Sequence, residues 1–385
     1  MTAPDTIRLL RGEEREALVA LLDGWVVPGW PGRPGDFFRR YLDADPSFEP
    51  RNVVVAERAG RLVGCVQIFP RALRVRPGEG PPRNGFAQVP LGGIGSVFTH
   101  PEVRGSGVAS ALLERAIAEM QARGLELSLL FATRHGFYGR LGWQLWPRER
   151  GLWLRGEAYT GPDPARRVDR FDPARDLDAA YALHTAHSGA LEGTCVRDAA
   201  FFRAQLAFAG NPEEDFLLAR TSDGALAAYA RAAALEGVLL ATELARRPEP
   251  DAAEALADLV AALLAPRDPD PLAPSASAPP ASAPPASGSP RRTPSASAPP
   301  CPPPSDLRRF LVAPCLHDPA LEGALVRRGV VRQTFSSRDA MLRVLDPDAL
   351  ARRTGRPRTP GESDAAWLAR VLPPERLVLW PADRF

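Results

Sequence analysis

The residues with the clearest chemical character are a glycine-rich turn and a tyrosine that follows it. The turn, residues 104–110, reads Arg-Gly-Ser-Gly-Val-Ala-Ser and follows a predicted strand at Gly92–Thr99. A helix is predicted at Gly107–Arg123, so the turn opens that helix. Backbone N–H groups at a helix start bind phosphate, and glycine permits close backbone approach. Tyr138, in a second glycine-bracketed turn, is a candidate proton donor beside such a ligand.

Two familiar phosphate-binding motifs do not match this turn. A dinucleotide-binding turn needs a third glycine in the pattern G-x-G-x-x-G, and no glycine falls at that position here. A P-loop needs Gly-Lys followed by Ser or Thr, and the sequence contains no lysine. The turn therefore predicts a phosphate-bearing cofactor of another kind.

Length and composition bound the class of protein. The chain has 385 residues, of which 45% are hydrophobic, so we expect at least two domains with substantial cores. The net charge of +2 gives no strong field for nucleic acid, and no apolar run is long enough for a membrane span. The four cysteines show neither metal-ligand spacing nor a disulfide framework, and Cys65 is expected in a core. We expect a cytoplasmic protein without metal, nucleic-acid or membrane partners.

Hydrophobic periodicity divides the chain into segments. Residues 1–155 predict an α+β domain with strand–turn–helix–strand at its centre and a last strand near Gly151–Leu154. Residues 156–175 are a predicted junction. Residues 176–350 repeat the order of sheet, helix and strand, with a Pro/Ala/Ser-rich insertion at 266–305 that we expect to be disordered. The tail, 351–385, predicts a helix at Glu362–Val371 and a strand at Arg376–Trp380.

The order of strand, proline, arginine, glycines and helix resembles the acetyl-CoA motif of the GNAT N-acetyltransferases. Val97–Pro101 is similar to that family's central strand and its exit, and Arg104–Ala109 to its pyrophosphate loop. The turn Phe137–Trp143 resembles the enhanced intracellular survival branch. This resemblance implies tandem three-layer α/β GNAT-like domains, each a mixed, mostly antiparallel sheet flanked by helices. Met341–Leu350 is similar to the strand that closes the second domain, and the branch's sterol-carrier-like third domain is expected to be missing or truncated.

The resemblance implies acetyl-CoA as co-substrate and a set of residues that would hold it. Three would lie along the pantetheine, seven would form the pyrophosphate loop, and two would flank the cofactor from the next strand. In that order they are Val97, Phe98 and Thr99; Arg104, Gly105, Ser106, Gly107, Val108, Ala109 and Ser110; and Thr133 and Arg134. No metal is implied.

Tyr138 is the candidate general acid for the CoA thiolate. A thiol has a pKa near about 8.5 and tyrosine about 10, so we expect a helix N-terminus or Arg140 to lower the tyrosine pKa. In the resembling branch a C-terminal Phe carboxylate reaches the active site, and this chain also ends in Phe. Phe385 is therefore the candidate base, with Glu102 or His135 in reserve. The alternatives are a packed aromatic for Tyr138 and a frayed terminus for Phe385.

These expectations combine into direct acetyl transfer to a primary amine. No cysteine or serine lies at a recognisable nucleophile site, so no acyl-enzyme is expected. The alternative is a non-catalytic acyl-CoA-binding or regulatory module on the same scaffold. The acceptor stays open between small-molecule and peptide amines, and a homo-oligomer is compatible with either function. Four aromatic residues could line an acceptor pocket or form core: Trp25, Trp30, Phe37 and Phe38.

Overall fold

The computed structural model describes residues 6–25, 32–78, 85–208, 214–235, 238–266 and 310–383. The predicted disordered insertion at 266–305 lies outside the described residues from residue 267 onward. The helices are α1 (Arg15–Leu22), α2 (Pro34–Ala44), α3 (Val108–Ala122), α4 (His135–Gly139), α5 (Pro173–Gly189), α6 (Ala199–Phe208), α7 (Pro250–Leu264), α8 (Pro319–Arg327), α9 (Pro347–Thr354) and α10 (Asp364–Val371). Among the described residues, no helix has the length and apolar character needed to span a membrane.

The strands belong to two sheets of seven strands each. They are β1 (Thr6–Leu9), β2 (Val53–Arg58), β3 (Arg61–Val75), β4 (Ala87–Thr99), β5 (Leu127–Phe131), β6 (Gln144–Leu145), β7 (Arg148–Arg155), β8 (Val168–Arg170), β9 (Asp215–Arg220), β10 (Leu226–Leu235), β11 (Val238–Arg246), β12 (Phe310–Pro314), β13 (Val330–Ser337) and β14 (Ala340–Val344). The first sheet has the order β1-β2-β3-β4-β5-β14-β6, and the second β13-β7-β12-β11-β10-β9-β8. The pairs β4–β5 and β11–β12 are parallel and the other pairs are antiparallel, which confirms the predicted fold class.

Local sequence accounts for many of these elements. The turn between β2 and β3 has both central residues in the left-handed region, Ala59 at φ +50° and Gly60 at φ +77°. Two such residues are what a tight hairpin turn needs. Gly124, at φ +70°, directly follows the last turn of α3, as a helix-terminating glycine does.

The two sheets exchange one strand, which corrects two sequence predictions. The strand predicted to end the first domain, near Gly151–Leu154, is β7, and it lies in the second sheet between β12 and β13. The strand within Met341–Leu350, predicted to close the second domain, is β14, and it pairs with β5 and β6 in the first sheet. The rest of that segment enters α9. Periodicity identifies a strand but not its partners, because the order of residues along a strand does not record which strand lies beside it.

The faces of the first sheet carry different cores. Val66 and Ile68 point to one face, where they pack with Leu112 and Ala116 of α3. Cys65 points to the opposite face, towards α1 and α2. Leu73 is an even number of residues from Cys65 and so shares its face, where α9, α10 and the C-terminal tail cover the sheet. We call these the α3 face and the tail face.

Two further segments differ from the sequence prediction. The aromatic and proline-rich stretch after α1 contains α2, which begins at Pro34, a residue that fits the first turn of a helix. The strand predicted at Arg376–Trp380 is absent. Pro374–Arg376 is a single 3-10 turn, and Leu377–Trp380 are buried without joining either sheet. Their side chains alternate between two cores, since Leu377 and Leu379 pack on the first sheet and Val378 and Trp380 pack in the core of the second. The alternation predicted a strand, but it does not supply the neighbouring strand that a ladder needs.

Candidate active site

A cavity opens in the first sheet where two parallel strands separate. β4 and β5 pair from Leu91 opposite Leu127 to Ile94 opposite Leu130, and their register ends there. Beyond that point, residues 95–99 of β4 and residues 131–134, from the last residue of β5 onward, line a cavity of about 1020 Å³. The gap exposes one edge of β4 to any ligand that enters the cavity.

A β-bulge shapes the open edge of β4. Gln67 of β3 lies opposite Gly95, but Cys65 lies opposite Phe98, so β4 has one extra residue between these pairs. Within the bulge, the backbone of Ser96 adopts a strained, left-handed conformation at φ +48°. After the bulge the side chains change faces: Val97 packs on the α3 face and Phe98 on the tail face. Bulges redirect side chains next to active sites, and this one turns the strand where the two strands part.

The open edge presents backbone N–H groups to the cavity. The N–H of His100 donates to the Val63 carbonyl of β3 at 2.8 Å. Because successive N–H groups along a strand point to opposite edges, the N–H groups of Thr99 and Val97 point away from β3 and towards the gap. The Arg104 Nε donates to the Thr99 carbonyl at 3.1 Å, which agrees with this orientation. The three residues predicted along the pantetheine all line the cavity.

The glycine loop brings the start of α3 to the cavity. Gly105 and Gly107 lie at φ +82° and +88°, so their conformation itself favours glycine. A Cβ on either would meet no protein atom within 4 Å, because both face open space. No side chain caps α3 and its first turn contains no acidic residue, so the first N–H groups of the helix face the cavity. We infer that conformation is the first reason for glycine, ahead of the predicted close approach.

The remaining residues predicted to hold the cofactor divide into two groups. Arg104, Thr133 and Arg134 line the cavity, as do the residues that start α3: Val108, Ala109 and Ser110. Ser106 does not line the cavity. Its hydroxyl turns back to donate to the Val103 carbonyl at 2.7 Å and so stabilises the loop. Arg140 also lines the cavity, so three guanidinium groups surround it.

Tyr138 lines the same cavity from α4. Its ring packs edge-on against Phe137 and Trp143, with centroids 5.0 and 6.3 Å away. Burial raises the pKa of Tyr138, and the charge of Arg134 opposes that shift only in part. The expected lowering by Arg140 or a helix N-terminus is therefore wrong. Arg140 lies over the Phe137 ring instead, and Tyr138 is near the end of α4 rather than its start.

The turn that carries Tyr138 is held by a residue that the sequence did not indicate. Arg343 of β14 donates to the Leu141 carbonyl, and its guanidinium lies 5.6 Å from the centre of the Trp143 ring. Trp143 is buried and donates from Nε1 to the Ser128 hydroxyl at 3.2 Å. No local pattern could have identified Arg343, because only the strand exchange brings β14 to this site.

The structure describes the two reserve bases but does not describe Phe385. Phe385 lies outside the described residues, which end at Asp383. The preceding tail packs on the tail face of the first sheet through Leu377 and Leu379, and buried Asp383 pairs with Arg197 at 2.7 Å. Neither reserve base, Glu102 or His135, lines the cavity.

The aromatic residues left open by the sequence also divide. Trp25 lines the cavity, with its ring 5.7 Å from Phe98 and 5.5 Å from Phe38. Phe38 is buried in the core beneath α1, and Phe37 packs against that core. Trp30 lies outside the described residues.

The described cysteines are free, and none is poised as a nucleophile at the cavity. Cys65 is nearest to the bulge, but its thiol donates to the Ser96 carbonyl at 3.3 Å. Burial raises the pKa of Cys65 to about 12, so the thiolate is scarce at neutral pH. In the second sheet, donor atoms of Cys315, Glu149 and His317 lie within 4.8 Å of one another. The Arg332 guanidinium already contacts the Cys315 sulfur there, where a metal ion would have to bind.

Comparisons with known proteins agree with this geometry. Residues 6–146 match the family described as an acetyltransferase (GNAT) domain. This match confirms the resemblance to GNAT acetyltransferases that was inferred from the glycine loop. A mycothiol acetyltransferase of Thermobispora bispora is 32% identical over 109 residues, or 26% of this chain and 33% of that protein. The chain thus matches about a third of the length of that relative.

Solved structures extend the likeness of fold across most of the chain. A probable N-acyltransferase from Enterococcus faecalis has a TM-score of 0.60 at 14% identity, over 89% of this chain and 73% of its own. A GCN5-related N-acetyltransferase from Kribbella flavida scores 0.56 at 18% identity, over 90% and 73%. Eis1 from Mycobacterium abscessus scores 0.55 at 16% identity, over 91% and 76%. The branch suggested by the Phe137–Trp143 turn is thus among the structural neighbours.

Proposed function

We propose that this protein transfers an acetyl group from acetyl-CoA directly to a primary amine. The observation that carries the proposal is one continuous cavity that joins the bare start of α3, the open edge of β4 and Tyr138. Acyl transfer as the reaction class is supported by the GNAT match and by the similarity to a protein named mycothiol acetyltransferase.

The residues around the cavity suit a CoA ester. Arg104, Arg134 and Arg140 supply positive charge, and the N–H groups at the start of α3 supply donors for a pyrophosphate. Bound acetyl-CoA would supply a thioester that is activated towards amines. In our proposal the N–H groups of Val97 or Thr99 stabilise the negative charge that develops on the thioester oxygen.

Tyr138 then acts as proton donor to the departing sulfur. A thiol pKa of about 8.5 lies below the ordinary tyrosine value of about 10, so the transfer is uphill by at least about 2 kcal/mol. Burial raises the pKa of Tyr138 further. The same shift keeps the phenol protonated throughout the neutral range, so the donor is always available.

The C-terminal carboxylate of Phe385 is our proposed base for the acceptor ammonium. The chain that leads to Phe385 packs on the tail face through Leu377 and Leu379, and this is also the face to which Phe98 and Trp25 open the cavity. An α-carboxyl has an ordinary pKa of about 3.5, so it would act through a water molecule or after burial has raised its pKa.

One observation favours the alternative, a non-catalytic acyl-CoA-binding module. Among the described residues that line the cavity, none has a carboxylate that could serve as a base. A binding module would take up acetyl-CoA without releasing CoA to any amine. Turnover therefore decides between the two functions.

The first experiment replaces Tyr138 by Phe and measures CoA release and acetyl-CoA affinity. We expect kcat to fall by about 10²- to 10⁴-fold, with the affinity unchanged. The protonated phenol is the active form, so wild-type kcat should decline only as pH rises through the raised pKa, above about 10. Tyr159→Phe is the matched control, since its hydroxyl contacts Ala261 away from the cavity. An unchanged kcat in Tyr138→Phe would exclude the acid role.

A second experiment moves the terminal carboxylate without touching the fold. Adding one glycine after Phe385 shifts the carboxylate by one residue, whereas Phe385→Ala keeps it in place and removes only the ring. If the carboxylate is the base, the extension lowers kcat and the alanine variant retains most of it. Equal kinetics of the extended and the native chain would rule out this base.

A further inference from the structure

The charged residues described in the lining of the cavity are all basic. None of its described residues is acidic, and three are arginines. Residues 26–31, which follow Trp25 and lie outside the described residues, also contain no acidic residue in the sequence. The nearest carboxylate in the sequence, Asp23, accepts from the Gly35 N–H at 2.7 Å and pairs with Arg33, so it is already engaged.

The cavity passes through the sheet rather than along one face. Val97 and Val108 belong to the α3 face, where the glycine loop lies. Phe98 belongs to the tail face and contacts Trp25 there. If acetyl-CoA holds its phosphates at the start of α3, its thioester lies in the gap and the acceptor enters from the side of Trp25.

Trp25 forms a firm apolar surface at that entrance. Its ring leans on Phe98 and on the buried Phe38, and it keeps part of its surface exposed. Aromatic rings held in this way bind flat apolar groups by stacking and by removal of apolar surface from water. They bind a cation through the ring face only weakly when it stays hydrated.

The charges of the cavity also favour an acceptor with a single ammonium group. The three arginines of the lining cannot pair with an ammonium ion, and the phosphates of acetyl-CoA, which could attract one, would lie at the start of α3 and not on the acceptor side. Among the described residues that line the cavity, none offers a carboxylate to a second or third ammonium group. A polyamine or aminoglycoside would have to desolvate several charges without partners, which is costly. A monoamine needs to lose only the proton that the reaction removes in any case.

We propose that the acceptor is a monoamine carried on an aromatic or similarly flat apolar body, and not a polycation. The inference rests on the proposed function, since it assigns the acceptor side of the same site. In the reaction the base takes one proton from the ammonium, and the neutral amine nitrogen bonds to the acetyl carbonyl carbon. The carbon–sulfur bond breaks and Tyr138 protonates the departing sulfur, and the second nitrogen proton is lost as the amide forms and the phenol is restored. The products are the acetamide, the CoA thiol and one released proton.

The test compares tryptamine with spermidine as acceptors for the full-length protein. We expect kcat/KM for tryptamine to exceed that for spermidine by at least about tenfold. Trp25→Ala should raise KM for tryptamine about tenfold with little change in kcat or acetyl-CoA affinity, and Trp25→Phe should restore most of the affinity. Equal or better use of spermidine, or an unchanged KM in Trp25→Ala, would overturn the inference.

Calorimetry separates this inference from the proposed function. Tryptamine is titrated into the protein loaded with CoA, the product thiol, so that no turnover can occur. Binding that depends on Trp25, without CoA release in the turnover assay, would reject the enzyme and retain the acceptor class. CoA release with spermidine as the preferred amine would support the enzyme and reject the proposed class of acceptor.

Discussion

The two sheets share one plan, but the cleft of the first is open and that of the second is filled. In each, a parallel pair of strands is joined by a helix: β4–α3–β5 in the first and β11–α7–β12 in the second. In each, the first strand of the pair has a bulge, at Ser96 in β4 and at Thr242 in β11. In each, the pairing stops partway along, so both sheets have the geometry for a gap.

The helix starts differ in what they can bind. α3 begins after Gly107 and has no acidic residue in its first turn. α7 begins with Pro250, which has no N–H to donate, between Glu249 and Asp251. A phosphate is attracted to the first helix start and repelled by the second.

The second gap is also filled by the chain itself. Trp380 is fully buried among Ala241 of β11 and Leu311 of β12, and residues 381–383 contact β11. Asp383 pairs with Arg197, which reaches Glu243 on β11 at 2.6 Å. If the first sheet holds acetyl-CoA as we propose, the frame needs a bare helix start and an empty gap for it. The second sheet has neither, and we assign it a structural role.

The largest expected effect comes from breaking the filled gap. Arg197→Met leaves the buried carboxylates of Glu243 and Asp383 without their shared cation, which should lower the free energy of unfolding by about 3–5 kcal/mol. Urea denaturation measures this. Acetyl-CoA affinity should stay close to wild type because the cavity lies in the other sheet.

The matched control for that change is Arg167→Met. Arg167 also pairs with an aspartate, Asp169, but its side chain is 86% exposed. We expect a loss below about 0.5 kcal/mol for it. Equal losses in the two variants would mean that the cluster in the second gap does not stabilise the fold.

The next effect concerns the open gap. Gly107→Val forces a β-branched residue into φ +88° and places its side chain in the space before α3. Acetyl-CoA affinity should fall by about 10- to 100-fold, or about 1.4–2.8 kcal/mol. Gly124→Val is the control, since Gly124 also has a positive φ and open space but follows the far end of α3. Titration calorimetry should find wild-type affinity in the control, and a loss equal to that of Gly107→Val would refute a local role.

Sequence reasoning found the local elements of the site and missed what is brought to it from afar. The glycine loop, the strand before it and the turn at Tyr138 are each one continuous stretch of sequence, so residue types and spacing predicted them. The exchange of β7 and β14 was missed because strand periodicity does not record the partner. The pKa of Tyr138 was predicted in the wrong direction, since burial depends on Trp143 and Phe137 packing that spacing does not reveal.

The smallest effect tests what the strand exchange brings to the open cleft. Arg343→Gln removes the contact from β14 to Leu141 and to the Trp143 ring, and so loosens the turn that carries Tyr138. We expect kcat to fall about three- to tenfold, or about 0.6–1.4 kcal/mol, with acetyl-CoA affinity unchanged. Arg115→Gln, on the exposed side of α3, is the control.

A double variant shows whether Arg343 acts through the tyrosine. If Arg343 only positions Tyr138, then adding Arg343→Gln to Tyr138→Phe should lower kcat no further. A merely structural role would give additive losses instead, because the damage to the fold would not depend on the phenol. Additive kinetics would show that β14 completes the first sheet but not its chemistry, and that the two gaps differ only in their helix starts and in the tail that fills one of them.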